Sequence, residues 1–121
     1  MRRPASALLS LVFLALGLVG ARAAELVVFE RAGCVWCARW NAEVGATYAK
    51  TAESRKAALR RVDLADGVPA DLARLRPVVF TPTFVLVEEG REIGRIEGYA
   101  DEAFFYAYLG GLIGKLEATT H

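Results

Sequence analysis

Cys34 and Cys37 are the only cysteines in a chain of 121 residues, and just Val35 and Trp36 stand between them. They follow the apolar run Leu26-Val27-Val28-Phe29 and open a helix-compatible stretch from Ala38 onward. A thiol at a helix N-terminus meets free backbone N–H groups and the positive end of the macrodipole, which favour thiolate over thiol. Cys34 is therefore the candidate nucleophile. Cys37, one helical turn further on, is spaced to attack a mixed disulfide formed at Cys34 and release the partner, because exchange proceeds through that intermediate.

Two other uses of the pair stand beside redox exchange. A structural bridge over so short a loop would remove only about 2 kcal/mol from the unfolded state by the chain-entropy estimate, less than a bridge between distant residues. Tetrahedral zinc needs four ligands, and the chain offers two cysteines and a single histidine, His121. A two-coordinate soft ion such as Cu(I) could still be held by the two sulfurs. The strand-to-helix setting makes thiol exchange the leading expectation, with no resident metal or organic cofactor.

The elements around the pair read as alternating strand and helix. Glu25 to Glu30 suits a buried central strand. Arg31-Ala32-Gly33 is the turn into the cysteines, with Gly33 allowing close backbone approach. A helix is predicted over Val35 to Lys50, with Cys37, Trp40, Asn41, Val44 and Tyr48 on its inward face. Thr51 to Lys56 should leave that helix, and Ala57 to Leu64 should form a second strand. Pro69 is placed as the first residue of a short helix running to Leu75. Pro82 interrupts the apolar run Val78 to Val87 and marks a tight turn, with a cis bond in prospect, before a third strand. Glu89-Gly90 turns into a fourth, Arg91 to Glu97, with a bulge near Gly94. Asp101 is the expected N-cap of a last helix carrying Phe104, Phe105, Tyr108, Leu109, Leu112, Ile113 and Leu116 at helical spacing. Gly110, Gly111 and Gly114 are read as points of close approach to the sheet, with fraying of the helix end as the alternative.

Residues 1–23 read as an export signal and residues 24–121 as the domain. Arg2 and Arg3 precede an apolar run from Ala7 to Val19, and Ala21-Arg22-Ala23 supplies the small residues of a cleavage site. An uncleaved anchor is the alternative, since Pro4 to Ala21 gives 18 uncharged residues. Of the chain's 15 basic and 14 acidic residues, Arg2, Arg3 and Arg22 leave with the signal, so the mature chain has 12 against 14. No nucleic-acid footprint remains. Outside the cytosol such a pair either oxidises or depends on a dedicated electron supply.

From Glu25 to Leu116 the chain resembles a thioredoxin-fold protein. The resemblance rests on the cysteine pair after the first strand, Thr81-Pro82 before the third, and Gly98 after the fourth. It implies an α/β fold of order βαβαββα, a central mixed sheet flanked by helices. It further implies a cis Pro82 beside the cysteines, with Thr81, Pro82 and Gly98 bordering the groove where a partner's extended backbone lies. More narrowly, the chain is similar to small periplasmic thioredoxins of bacterial sulfur-oxidation systems, the SoxS type. Phe29-Glu30, Gly33-Cys34, Cys37-Ala38-Arg39-Trp40, Glu43-Val44-Gly45, Leu59-Arg60-Arg61-Val62-Asp63 and Gly98-Tyr99 carry that likeness.

The implied function is a periplasmic protein-disulfide reductase acting, as a monomer, on a disulfide or modified cysteine of a partner protein, with a membrane thiol transporter as electron donor. Related exported thioredoxins serve cytochrome c maturation or disulfide repair, which remain alternatives alongside Cu(I) handling. Two departures matter. Val35-Trp36 replaces the Gly-Pro of ordinary thioredoxins, and Val28 occupies the place of their buried acid, six residues before the first cysteine. Glu30 is the nearest carboxylate, read either as a proton relay for Cys37 or as a strand-end residue paired with Arg31 or Arg39. Trp36 is expected as an exposed flat contact beside Cys34, and Trp40 as core.

Overall fold

The computed structural model describes residues 24–119. Residues 1–23, expected to be an export signal, and His121 lie outside the described residues. Four strands, β1 (Ala24–Glu30), β2 (Ala57–Asp63), β3 (Thr83–Glu88) and β4 (Arg91–Glu97), form one sheet in the order β2-β1-β3-β4. β1 pairs in parallel with β2 and antiparallel with β3, and β3 pairs antiparallel with β4. Hence the sheet is mixed. As a central strand β1 is covered on both faces, which is why its apolar run is unbroken: Leu26 and Val28 point into one core, Val27 and Phe29 into the other.

The first core lies under α1 (Val35–Trp40) and α3 (Glu102–Thr119), where Trp40, Phe84 and Phe105 pack ring against ring. Val28, at the place of the family's buried acid, sits in this core and is fully buried. Asp101 caps α3 as expected, its Oδ1 accepting from Phe104 N–H at 2.8 Å. Among the described residues no helix is long and apolar enough to cross a membrane.

Several expected elements differ. The helix from Val35 to Lys50 is not continuous: α1 ends at Trp40, Asn41–Gly45 widens into a π-type turn, and Tyr48–Lys50 is a single 3-10 turn. The widening starts at Asn41, whose Nδ2 donates to Cys37 O at 2.9 Å, while Asn41 O accepts from Ala46 N–H, five residues on, at 3.1 Å. The inward face survives the break, since Cys37, Trp40, Val44 and Tyr48 are all buried. Thr51–Lys56 does leave the helix but starts a new one, α2 (Ala52–Lys56), because Thr51 Oγ1 caps Ser54 N–H at 3.2 Å.

The expected helix from Pro69 to Leu75 is only a 3-10 turn, Ala70–Leu72, with Pro69 as its N-cap. Closely spaced Pro69 and Pro77 leave little room for more. Gly110, Gly111 and Gly114 do not approach the sheet, since a Cβ built on any of them meets nothing within 4 Å. Leu109, Leu112, Ile113 and Leu116 take the inward face, so these glycines fall outward. The close approach is on the strand instead, where a Cβ at Gly94 would lie 2.4 Å from Leu112 Cδ2. The β3–β4 register skips at Ile93, between Gly94 and Glu92, which makes Ile93 the bulged residue.

Candidate active site

β1 ends at Glu30 and the chain turns through Arg31-Ala32-Gly33, with Cys34 N–H donating to Arg31 O at 3.3 Å. Gly33 has φ +78 and open space around it, so its role is the left-handed turn and not the close approach expected of it. That turn delivers Cys34 as the N-cap of α1: its Sγ accepts from Cys37 N–H at 3.1 Å. A sulfur capping a helix is in the setting that favours its anionic form. Cys34 is part-exposed while Cys37 is 4% exposed, and the two are joined as a disulfide. The outer sulfur is thus the one a partner can reach.

The Thr81-Pro82 bond is cis, as anticipated, and Thr81 O lies 3.4 Å from Cys34 Sγ. Thr83 Oγ1 donates to Phe80 O at 2.7 Å and steadies the loop before β3. Gly98 N–H donates to Pro82 O at 2.7 Å, so the residue after β4 closes on the proline turn. Cys34, Cys37, Thr81, Pro82 and Gly98, scattered through the sequence, therefore meet in one place. Trp36, two residues after Cys34, is 52% exposed, and Val35, Val79 and Phe80 are exposed nearby in sequence to the cysteines or the proline turn. Trp40 is fully buried, as expected of core.

Glu30 pairs with neither Arg31 nor Arg39. Arg61 Nη1 donates to both of its carboxylate oxygens, at 3.1 and 3.0 Å, and Asn41 Nδ2 donates to Oε1 at 2.6 Å. The reason is register: Arg61 stands on β2, two residues before Asp63, the residue paired with Glu30 across the parallel ladder. Since Asn41 Nδ2 also donates to Cys37 O, Glu30 reaches the inner cysteine's backbone through one amide.

Reading the sequence residue by residue missed four side chains around the pair. Helical spacing assigns Asn41 only to the inward face, the sequence offers Arg39 only as a partner for Glu30, and nothing in it gives Glu43 or Tyr99 a place at the site. Arg39 Nε donates to Glu43 Oε1 at 2.8 Å, and Tyr99 Oη donates to Glu43 Oε2 at 2.5 Å. The hydrogen bond from the Tyr99 phenol, and then that from Arg39, hold the Glu43 carboxyl below its ordinary range. Burial, then the Glu43 carboxylate, pushes the Tyr99 phenol up. The i,i+4 spacing of Arg39 and Glu43 was a legible signal for the first of these contacts.

Among the described residues no group of three or more His, Cys, Asp or Glu side chains could hold a metal ion. What the arrangement can do is exchange: an accessible, helix-capped sulfur, a buried partner sulfur in bonding contact with it, and a backbone turn lying against the first.

Comparison with known proteins agrees with this geometry. The family model for thioredoxin-like domains matches residues 19–112. Among solved structures, the periplasmic thioredoxin SoxS from Paracoccus pantotrophus, in its reduced form, is 46% identical to the chain. That match covers 77% of this chain and 98% of the other, with a TM-score of 0.72. A thioredoxin from Malassezia sympodialis, 21% identical over 80% of this chain and 83% of its own with a TM-score of 0.62, shares the fold. No curated protein matches the chain.

Proposed function

The chain belongs to the family of thioredoxin-like domains, and from that premise we propose that it is an exported protein-disulfide reductase working in the periplasm. In this reading residues 1–23 are the export signal, residues 24–121 the domain, and the domain acts as a monomer. The Cys34 thiolate attacks a disulfide on a partner protein: a bond forms between Cys34 Sγ and the near partner sulfur, and the far sulfur leaves as a thiolate that takes up a proton. The Cys37 thiolate then attacks Cys34 Sγ, closing the Cys34–Cys37 bond and releasing the second partner sulfur. Two electrons have passed to the partner. A membrane thiol transporter supplies two further electrons, with two protons from solvent, to reopen the Cys34–Cys37 bond.

The observation that carries the reading is the placement of Cys34 at the head of α1, part-exposed and 3.4 Å from Thr81 O. Thr81 offers its backbone to an extended partner segment, Pro82 and Gly98, bonded to each other, border the same groove, and Trp36 adds a flat apolar contact. Glu30, linked to Cys37 O through Asn41, is positioned to influence the inner thiol as it gives up its proton. The 46% identity to a periplasmic SoxS supports a partner from sulfur oxidation, with a disulfide or sulfur adduct on its reactive cysteine.

The test is trapping. Reduced protein carrying Cys37→Ser can attack but not resolve, so it should accumulate a mixed disulfide at Cys34 when mixed with periplasmic extract, and Cys34→Ser should capture nothing. The adduct's other half names the partner. If Cys37→Ser stays free, and the parent protein cannot reduce insulin disulfides at the expense of dithiothreitol, the reading falls.

A further inference from the structure

We propose that Arg39 is a positioning residue for partner docking: wedged between the rings of Trp36 and Tyr99, it holds the exposed indole in one pose beside Cys34. This rests on the reading above. Trp36 is 52% exposed and outside both cores. A side chain so placed would ordinarily move among rotamers, and a partner would have to still it on binding.

Arg39 Cζ lies 5.7 Å from the Trp36 ring centroid and 5.7 Å from that of Tyr99. Both distances are within cation–π reach. The guanidinium is kept there by Glu43, which accepts from Arg39 Nε at 2.8 Å and from Tyr99 Oη at 2.5 Å. Tyr99 is the firm end: it is buried, edge-on to Phe105 at 6.5 Å, and follows Gly98, which donates to Pro82 O. The indole on the cysteine side and the proline turn are thus joined by one line of contacts: Trp36, Arg39, Glu43 with Tyr99, Gly98 and Pro82. Lysine cannot substitute, because only a planar guanidinium stacks on rings while donating in its own plane.

Magnitude separates this role from a stabilising one. The Arg39–Glu43 pair is solvent-exposed, and exposed i,i+4 pairs contribute little to folding. A fixed indole is instead felt by whatever lands on it.

Insulin reduction, with dithiothreitol as electron source, provides the kinetic test. Arg39→Met should raise KM for insulin about two- to fivefold, the size expected when the one surface cation–π contact that stills Trp36 is lost, with kcat unchanged. Arg39→Lys should behave like Arg39→Met, and Arg39→Met added to Trp36→Ala should raise KM no further. Acrylamide quenching reads the clamp without activity, since Trp40 is fully buried and the accessible fluorescence reports Trp36. That fraction should quench more steeply in Arg39→Met. Unchanged KM, a fall in kcat alone, additive effects with Trp36→Ala, or unchanged quenching would each overturn the proposal. A parent protein inert towards insulin would instead sink the reductase reading, and quenching would then decide the clamp by itself.

Discussion

On one face of the sheet, Trp40, Phe84 and Phe105 meet with ring centroids 4.9 to 5.8 Å apart, under α1 and α3. On the other, Val27, Phe29, Val62, Val85 and Val87 are roofed by the linker between β2 and β3 through Leu64, Leu72, Leu75 and Val78. The linker contains no α-helix, so its backbone has few internal hydrogen bonds to hold it. Charged side chains pin it instead. Arg60 donates to both Asp71 oxygens at 2.6 and 2.9 Å, and Arg95 donates to the carbonyls of Arg76 and Pro77 at 2.9 and 3.1 Å. The cysteines ride on the first face and Thr81-Pro82 is delivered by the second. Packing holds one half of the site and ion pairs hold the other, so different conditions should disturb them.

The largest effects should come from truncating each core. Phe84→Ala removes the ring that touches both Trp40 and Phe105, and should cost about 3–5 kcal/mol in urea unfolding. Leu72→Ala opens space beneath a linker that can settle into it, and should fall at the low end of the leucine range, about 2–3 kcal/mol. Equal costs would mean that the linker is as rigid as the helices, and the contrast would fail.

A smaller effect, with a pH signature, should come from the pins. Arg95 is 7% and Glu92 12% exposed at the side chain, and Arg76 joins the same carboxylate. Arg95→Met leaves that carboxylate and two linker carbonyls short of a donor, and should cost about 1–3 kcal/mol at neutral pH. The hydrogen bond from Arg95, then Arg76, holds the Glu92 carboxyl below its ordinary range. A depressed carboxyl stabilises the fold above its unfolded value of about 4.3, and that contribution is lost as pH falls through the folded value. Urea midpoints taken from pH 6 down to pH 3 should therefore fall more steeply for the parent than for Arg95→Met. Parallel curves would show that the pin does not matter.

What could be read beforehand follows the same division. β1, the inward residues of α1 and α3, and the cysteine and Thr81-Pro82 positions are local or periodic signals, and the structure keeps them. The breaks come from contacts across the fold. The π-type turn depends on Asn41 donating at once to Cys37 O and to Glu30, eleven residues back, a choice that helical spacing does not register. Val79 and Phe80 look like strand in an apolar run, yet β3 starts only after Pro82 and both are exposed. Glu43 and Tyr99 are 56 residues apart, and only the return of the chain after β4 brings them together.

The smallest prediction concerns how α3 sits on the packed face, and its sign is what counts. The glycines of α3 and the glycine of β4 make opposite demands. At Gly110, mid-helix and outward, a methyl group meets nothing within 4 Å. Gly110→Ala should therefore stabilise by about 0.5–1 kcal/mol, the helix-propensity difference alone. At Gly94 the added Cβ would fall 2.4 Å from Leu112 Cδ2, a flexible side-chain end but one buried in the core. Leu112 must turn or α3 must lift, so Gly94→Ala should destabilise by about 1–3 kcal/mol, the usual cost of overpacking. Combined, the two should add, because Gly110 faces away from the strand and shares no neighbour with Gly94. Urea midpoints moving up for one and down for the other would confirm that the sheet, and not the helix, supplies the close contact. A loss at Gly110 would return that contact to α3 and undo the account of this face.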